Sequence, residues 1–517
     1  MPNPNHSALL IASGHRIVVG IDFGTLSCAF VGKISKLGYF NDFTSGPISS
    51  RYTALKDAFN DDAAGTGKML LTKIKFLVEP STNHNADANL PNTIDALELV
   101  AEYLHQLFEY LMERLRNTFG TTLQPEDLQY CLTVPAIWSE HAKHTMRRAA
   151  ARAGLISPGE VNMPRLSVVL EPEAAAIYCF KKVKEAPMRP GETAIVVDAG
   201  GGTVDIVAYR FQSGIDASQK MVEVAPGTGG LCGSTFIDEV FLDWLGSKVG
   251  KMALADLKRE KGVDYLQDGV SDNVYITLAD MQSFFDPIVE QVLQLIEKQL
   301  DKCPNKRSDK LFGVGGFMAS PYLQKKIKER ISDKCGIIIF PRDPGAAVVQ
   351  GAALHGLNPH AIQARFSRFT YAFKHNLEKH QFLTKYPRGP EPTSADVFLH
   401  EEKGVPYLHV YHPKMTANQL VEVQDFYSTK VYPLYSWQTS LTLQLVATAE
   451  EYKQEMPVSC VNGHFDVGSL IVDGIPLSGP DRSVKLTFYF GLTELTAIAR
   501  VNATNDEKRI SVNFSTR

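Results

Sequence analysis

Two stretches of the chain repeat one pattern, and that repeat limits the folds open to it. Residues 16–31 read RIVVGIDFGTLSCAFV and residues 194–209 read AIVVDAGGGTVDIVAY. Each passes from an apolar strand to an aspartate, through a glycine-containing turn to a threonine, and into a second apolar or alternating run. Two copies of one supersecondary unit, about a third of the chain apart, point to an internal duplication into similar α/β lobes.

The turns have a chemical reading. Glycine takes positive φ freely and lets a ligand approach the backbone. Gly200, Gly201 and Gly202 can therefore form a nest of N–H groups around an anion such as phosphate. In dinucleotide-binding and Walker-type loops the glycines open a helix; here they open VDIVAYR, a strand pattern, so the turn closes a hairpin. Acids beside a phosphate repel it unless a cation intervenes. Asp22 and Asp198 thus imply Mg²⁺, held through its waters, and Thr25 and Thr203 offer hydroxyl donors. Either turn alone reads equally well as a tight hairpin capped by aspartate. Two in tandem, followed by Gly315-Gly316, favour phosphate. AAGTGKML, residues 63–70, imitates a Walker loop and fails: Asp62 stands where glycine is required and Met69 where Ser or Thr is required. A surface loop is expected there.

Strand and helix alternate around these turns. In ALELVAEYLHQLFEYLMERLRNTFG, Val100, Tyr103, Leu104, Leu107, Phe108, Leu111 and Leu115 share one helical face, with Gly120 placed as a C-terminal cap. LQYCLTVPAIW and LSVVLEP read as strands, AKHTMRRAAARAGL as the helix between them, and helices are expected again near 281–300 and 322–331. From about Arg365 to Asn418 the chain looks polar and irregular, with prolines at 387, 390, 392, 406 and 413. Beyond it, SLTLQLV, SVKLTFYF and RISVNF alternate with period two, so the tail reads as a mostly β module.

Bulk numbers exclude several classes. A chain of 517 residues needs more than one core. A net charge of −4 gives no electrostatic reason to expect nucleic acid or a membrane surface as partner. The seven cysteines are scattered without a C-x-x-C pair, which fits a reducing compartment, and no apolar run spans a bilayer. With only a short apolar run and no basic leader near the start, no secretory signal is expected and a cytoplasmic location follows.

In order, IDFGT, TVPAIW, LEPEAAAIY, VVDAGGGTVDIV, LFGVGGF and VVQGAAL resemble the nucleotide-binding domain of 70-kDa heat-shock proteins. GTGGLCGSTFIDEVF, VGGFMASPYLQ and IKFLVEP resemble the atypical subfamily 12. The resemblance implies a duplicated two-lobe, actin-like (ribonuclease-H-like) ATPase fold: a first lobe at 15–190, a second lobe with its return helix at 191–364, and the β-rich module at 365–517. It implies ATP or ADP with Mg²⁺ as cofactors. Carried over by position, Asp22, Gly24 and Thr25 form the first phosphate turn, and Gly200, Gly201, Gly202 and Thr203 the second. Lys75 faces the terminal phosphate; a lysine on a solvated amphipathic segment is an equal reading. Glu171 and Asp198 orient water and metal, with Asp22 and Asp198 on the metal side. Gly229, Gly230, Gly315 and Gly316 line the ribose and adenine, and Gly233 joins the cofactor contacts. Ala319 replaces the family's adenine-stacking arginine, and Gly345 replaces an acid before the return helix. Lys258, Arg259 and Lys261 are read as a solvated charged face or as part of the adenine contact. The implied function is an ATP-binding, slowly hydrolysing chaperone-like protein with client polypeptides as candidate partners. A nucleotide-sensing scaffold without significant hydrolysis is the alternative, and a small-molecule kinase a weaker one.

Overall fold

The computed structural model describes residues 17–23, 28–34, 43–44, 75–79, 95–158, 165–213, 219–254, 274–479, 481–490, 493–510 and 513–514. Contacts divide the chain into two compact units: one of Met1–Trp138, Thr145–Gln219 and Gly227–Ala361, the other of Ser139–His144, Lys220–Pro226 and Ile362–Arg517.

The first unit contains one strand arrangement twice. β1 (Ile17–Phe23) pairs antiparallel with β2 (Cys28–Ile34), which is bordered by β3 (Phe43–Thr44). On its other side β1 runs parallel to β4 (Leu128–Val134), and β4 parallel to β5 (Leu166–Leu170). β6 (Thr193–Ala199) likewise forms an antiparallel hairpin with β7 (Val204–Ser213), which β8 (Gln219–Gly230) flanks. β6 also runs parallel to β9 (Ser308–Val314), and β9 parallel to β10 (Cys335–Ile339). The orders β3-β2-β1-β4-β5 and β8-β7-β6-β9-β10 match position by position. The central strands are buried throughout because both faces are covered, which is why they read as continuous apolar runs. The helix Ala96–Phe119 buries Val100, Leu104, Leu107, Phe108, Leu111 and Leu115, and ends at Gly120 with φ 108°.

One helix holds the first sheet's business end in place. Ala347–Leu357, rich in small residues, lies against β1 and against the helix Glu171–Lys182. A Cβ at Gly351 would sit 1.8 Å from the Ala174 carbonyl oxygen, and one at Gly20 would sit 2.6 Å from Ala353 N and Val349 O. These are backbone-to-backbone contacts that no side chain can enter. They fix two things at once: the strand that carries Asp22 and the helix whose first residue is Glu171.

The second unit departs from the expected irregular stretch. Residues 365–418 contain β11 (Ile362–Phe366), β12 (Thr370–Glu378), the helix Lys379–Lys385, β13 (Val397–Leu399) and β14 (Pro406–Met415). The prolines misled because each sits where it costs little. Pro387, Pro390 and Pro392 lie between the helix and β13. Pro406 begins a strand, and Pro413 adjoins the bulge where the register jumps from Tyr371↔Met415 to Ala372↔Pro413. β15 (Leu420–Glu422) pairs with β11. β16 (Phe426–Val431) belongs to a second sheet. β17 (Ser440–Thr448), β18 (Met456–Pro457) and β19 (Phe465–Asp473) extend the sheet of β12 and β14. β20 (Val484–Tyr489), β21 (Thr496–Val501) and β22 (Asp506–Ile510) complete the sheet of β16, and β23 (Asn513–Phe514) pairs with β19. The alternating residues Leu441, Leu443 and Leu445 of one sheet and Val484, Leu486 and Phe488 of the other share one apolar cluster, as in a β-sandwich. Among the described residues no helix is long and apolar enough to cross a membrane.

Gly351→Ala is expected to lower unfolding free energy by roughly 2–3 kcal/mol through overpacking, read from the urea midpoint. Gly345→Ala, whose added carbon comes no closer than 3.9 Å to Asp343 Oδ1, should stay within about 0.5 kcal/mol. Equal midpoints for the two variants would contradict the backbone contact.

Candidate functional site

In open α/β sheets, ligand chemistry gathers at the carboxyl ends of parallel strands. The acids of the first unit stand at such ends. Asp22 is next to last in β1, Asp198 next to last in β6, and β5 passes directly into the helix at Glu171. Lys75, on the short helix Lys75–Val78, is buried and donates to Glu171 Oε1 at 2.5 Å. Its Nζ lies 6.0 Å from the centroid of the Trp138 ring. Thr133, near the end of β4, donates its hydroxyl to Asp22 Oδ1 at 2.7 Å.

These groups feel one another. Burial raises Asp198 well above the ordinary carboxylate range; Glu171, Asp205 and Asp22 add repulsion, and Lys75 offsets part of it. Burial pushes Glu171 up to about 8 against the pull of Lys75, with Asp22 and Asp205 pushing the same way as burial. Asp22 is raised by burial too, with Lys75 and the Thr133 hydrogen bond opposing. Burial disfavours the Lys75 ammonium, but Glu171, Asp22 and Asp198 outweigh it and hold the proton more tightly than usual. Among the described residues the group thus sets the Lys75 ammonium amid the crowded carboxyl groups of Asp22, Glu171 and Asp198. The register makes this sharper: Asp198 stands directly opposite Asp205 across β6 and β7. Like charges in that position are destabilising.

The glycine turn is anchored by its carbonyls. Gly200 O accepts from Ser234 N at 3.2 Å and Gly202 O from Gly233 N at 3.2 Å. Gly201 O accepts from Thr235 N at 2.9 Å and from the Thr235 hydroxyl at 2.8 Å. Gly200 N donates across the turn to Thr203 O at 3.0 Å. The N–H groups of Gly201, Gly202 and Thr203 make no hydrogen bond within the described residues. With carbonyls tied back and amides left over, the turn is an anion nest. Gly233 must be glycine, since a Cβ would lie 2.3 Å from Gly201 O. Gly315, at φ +92°, would place one 2.4 Å from Asp198 Oδ1 and 2.3 Å from Ala199 O.

The structure thus brings Asp22, Lys75, Glu171 and Asp198 into one electrostatic group, and sets Gly200–Gly202, Thr203, Gly233 and Gly315 around the end of β6. Gly229 packs on Ile137 and Asp205; Gly230 packs on Leu295, and a Cβ on Gly316 would meet nothing within 4 Å. Gly24, Thr25, the 63–70 segment and the basic residues 258–261 lie outside the described residues. Sequence reasoning passed over Thr133, Trp138 and Asp205. Asp205 did carry a signal, being a lone acid in the apolar run VDIVAY.

An Hsp70 protein family profile matches residues 104–268. Heat shock 70 kDa protein 12A of Homo sapiens is 23% identical, over 96% of this chain and 91% of its own length. Heat shock 70 kDa protein 12B of Homo sapiens is 23% identical over 86% and 79%. The chain is similar to divergent 70-kDa heat-shock proteins of the subfamily 12 kind. The Chaperone protein HscA homolog of Rickettsia rickettsii (strain Sheila Smith), 26% identical over 66% of this chain and 57% of its own, extends the likeness to a more distant relative. Likeness to the heat-shock family implies the actin-like two-lobe architecture, and the twice-used strand order is consistent with it.

Because folded Glu171 keeps its proton up to about 8 rather than 4.5, the folded state binds more protons than the unfolded state between those values. Stability should fall as pH rises through that window. Asp198→Asn, which removes one of the crowded charges, is expected to raise ligand-free stability by roughly 0.5–2 kcal/mol and to flatten that fall. Urea unfolding across the pH range checks this; a variant less stable than its parent at pH 8 would contradict the charge excess.

Proposed function

We propose that this chain binds MgATP at the buried acid–lysine group and hydrolyses it slowly, using the nucleotide to switch a chaperone-like conformation. The observation that carries this reading is the glycine turn with three unused N–H groups, set beside an excess of buried carboxylates. The turn suits phosphate oxygens and the acids suit a hard cation. Oxygen donors of this kind fit Mg²⁺, with Asp22 and Asp198 nearest in role. Bound there, the ion would supply the positive charge that lets acids and triphosphate share one site.

The chain's own groups then have distinct tasks. Amides of Gly201, Gly202 and Thr203 hold phosphate oxygens, and the Thr203 hydroxyl donates to the terminal phosphate. Asp198, its carboxyl ionised by the charge a bound cation would bring, accepts a hydrogen bond from the attacking water and takes up its proton, while Glu171 orients that water. Water adds in line to the terminal phosphorus as the bond to the ADP oxygen breaks, giving ADP and phosphate. Lys75 neutralises charge that spreads over the transferred group. The sandwich of the second unit is the candidate surface for polypeptide partners.

One observation favours the alternative of a nucleotide sensor with negligible turnover. Lys75 is already paired with Glu171 at 2.5 Å, so a phosphate must compete for it. Single-turnover hydrolysis separates the two. We expect ADP from the parent chain, with Asp198→Asn slower by roughly 10²–10³ and Lys75→Ala impaired. Nucleotide that raises the melting temperature but yields no ADP would establish the sensor; wild-type turnover in Asp198→Asn would contradict its assigned role.

A further inference from the structure

The larger sheet of the second unit carries a polar group that nucleotide chemistry does not use. β14 has β12 on one side and β18 on the other. The register sets Phe373 opposite His412 and His375 opposite Val410. His375 and His412 therefore rise from the same face as diagonal neighbours. On the other side, Tyr411 pairs with Met456, which brings the preceding Glu455 beside His412.

Three side chains from three neighbouring segments converge as a result. His412 Nδ1 lies 2.7 Å from Glu455 Oε1, and His375 Nε2 lies 3.4 Å from the same oxygen. One donor atom from each residue falls within 4.8 Å of the others. The Glu455 side chain is only 5% exposed, whereas those of His375 and His412 are 28% and 34% exposed. His375 Nε2 is itself enclosed, and among the described residues its nearest partner is this long contact with Glu455. Lys385 and His412 already pair with this carboxylate, so a second imidazole at a longer distance adds a donor that its hydrogen bonding does not need.

We propose that His375, His412 and Glu455 form a site for a zinc-class divalent ion, with water in the fourth position. Two imidazoles and a carboxylate with one open side are a zinc donor set, needing donors about 2.0–2.2 Å from the ion. Lys385 sits 3.2 Å from the other carboxylate oxygen, Oε2, where it orients the ligand without blocking Oε1. Lys414, two residues beyond His412, is turned to the Tyr427 hydroxyl at 2.7 Å. The ion would clasp β12, β14 and the segment leading into β18.

The test uses the full chain, stripped with a chelator and titrated with ZnCl₂ and, separately, CoCl₂. One equivalent of zinc should bind at micromolar concentration and raise the melting temperature. Cobalt should give visible bands without thiolate charge-transfer absorption, since no cysteine takes part. His375→Ala and His412→Ala should each lose that equivalent and the thermal shift; His412→Asn and His375→Gln serve if the alanine variants misfold. Lys385→Met should keep binding. No uptake by the parent chain, thiolate absorption with cobalt, or undiminished uptake in both histidine variants would overturn the site.

Discussion

Among the described residues of the first unit, the Lys75 ammonium lies amid the crowded carboxyl groups of Asp22, Glu171 and Asp198, with Asp205 facing Asp198 across the hairpin. Taking ions out of water costs several kcal/mol each, and their mutual attraction repays this only when charges balance. They do not balance here. A fold that served stability alone would replace one acid with an apolar residue. Retaining these acids leaves their carboxyls holding protons above the usual range, and under the proposed function a cation-bound anion would stabilise the unit that receives it. The register sets Asp198 opposite Asp205, so two acids face each other across the hairpin.

Everything that surrounds this group serves to aim it. The carboxyl ends of β1, β5 and β6 deliver the acids, and the short helix Lys75–Val78 delivers the base. Glycines do the close work. Gly351 and Gly20 let a helix touch backbone, while Gly233 and Gly315 let neighbouring loops press on the turn after β6. A methyl group at any of these four positions would displace the parts that carry charge.

Much of this could be read in the residues, for identifiable reasons. Strands buried on both faces announce themselves as apolar runs, and it is the tandem glycine turns, rather than either alone, that point to phosphate. The duplicated hairpin was visible because both copies run in one order from apolar strand through aspartate and glycine to threonine. Lys75 was less legible: nothing in IKFLVEP says that its lysine is buried, and only the resemblance singled it out. Thr133 escaped because a lone hydroxyl in LQYCLTV looks like ordinary strand composition, and its partner is distant in sequence. The prolines between residues 387 and 413 were read as disorder of pattern, although they occupy loops, a strand start and a bulge that backbone chemistry permits. The histidines of β12 and β14 gave no sequence signal, since their meeting depends on register between strands.

The two units pose separate chemical questions, one about phosphate and one about a soft-to-borderline metal ion. The first is central. Titration calorimetry of ATP into the full chain, run once with excess Mg²⁺ and once with EDTA, addresses it most directly. Charge imbalance at the strand ends requires strong binding with magnesium and a collapse of affinity on chelation. Equal affinity under both conditions, or none under either, would contradict the claim that these acids and the glycine turn were assembled around a metal-bound triphosphate.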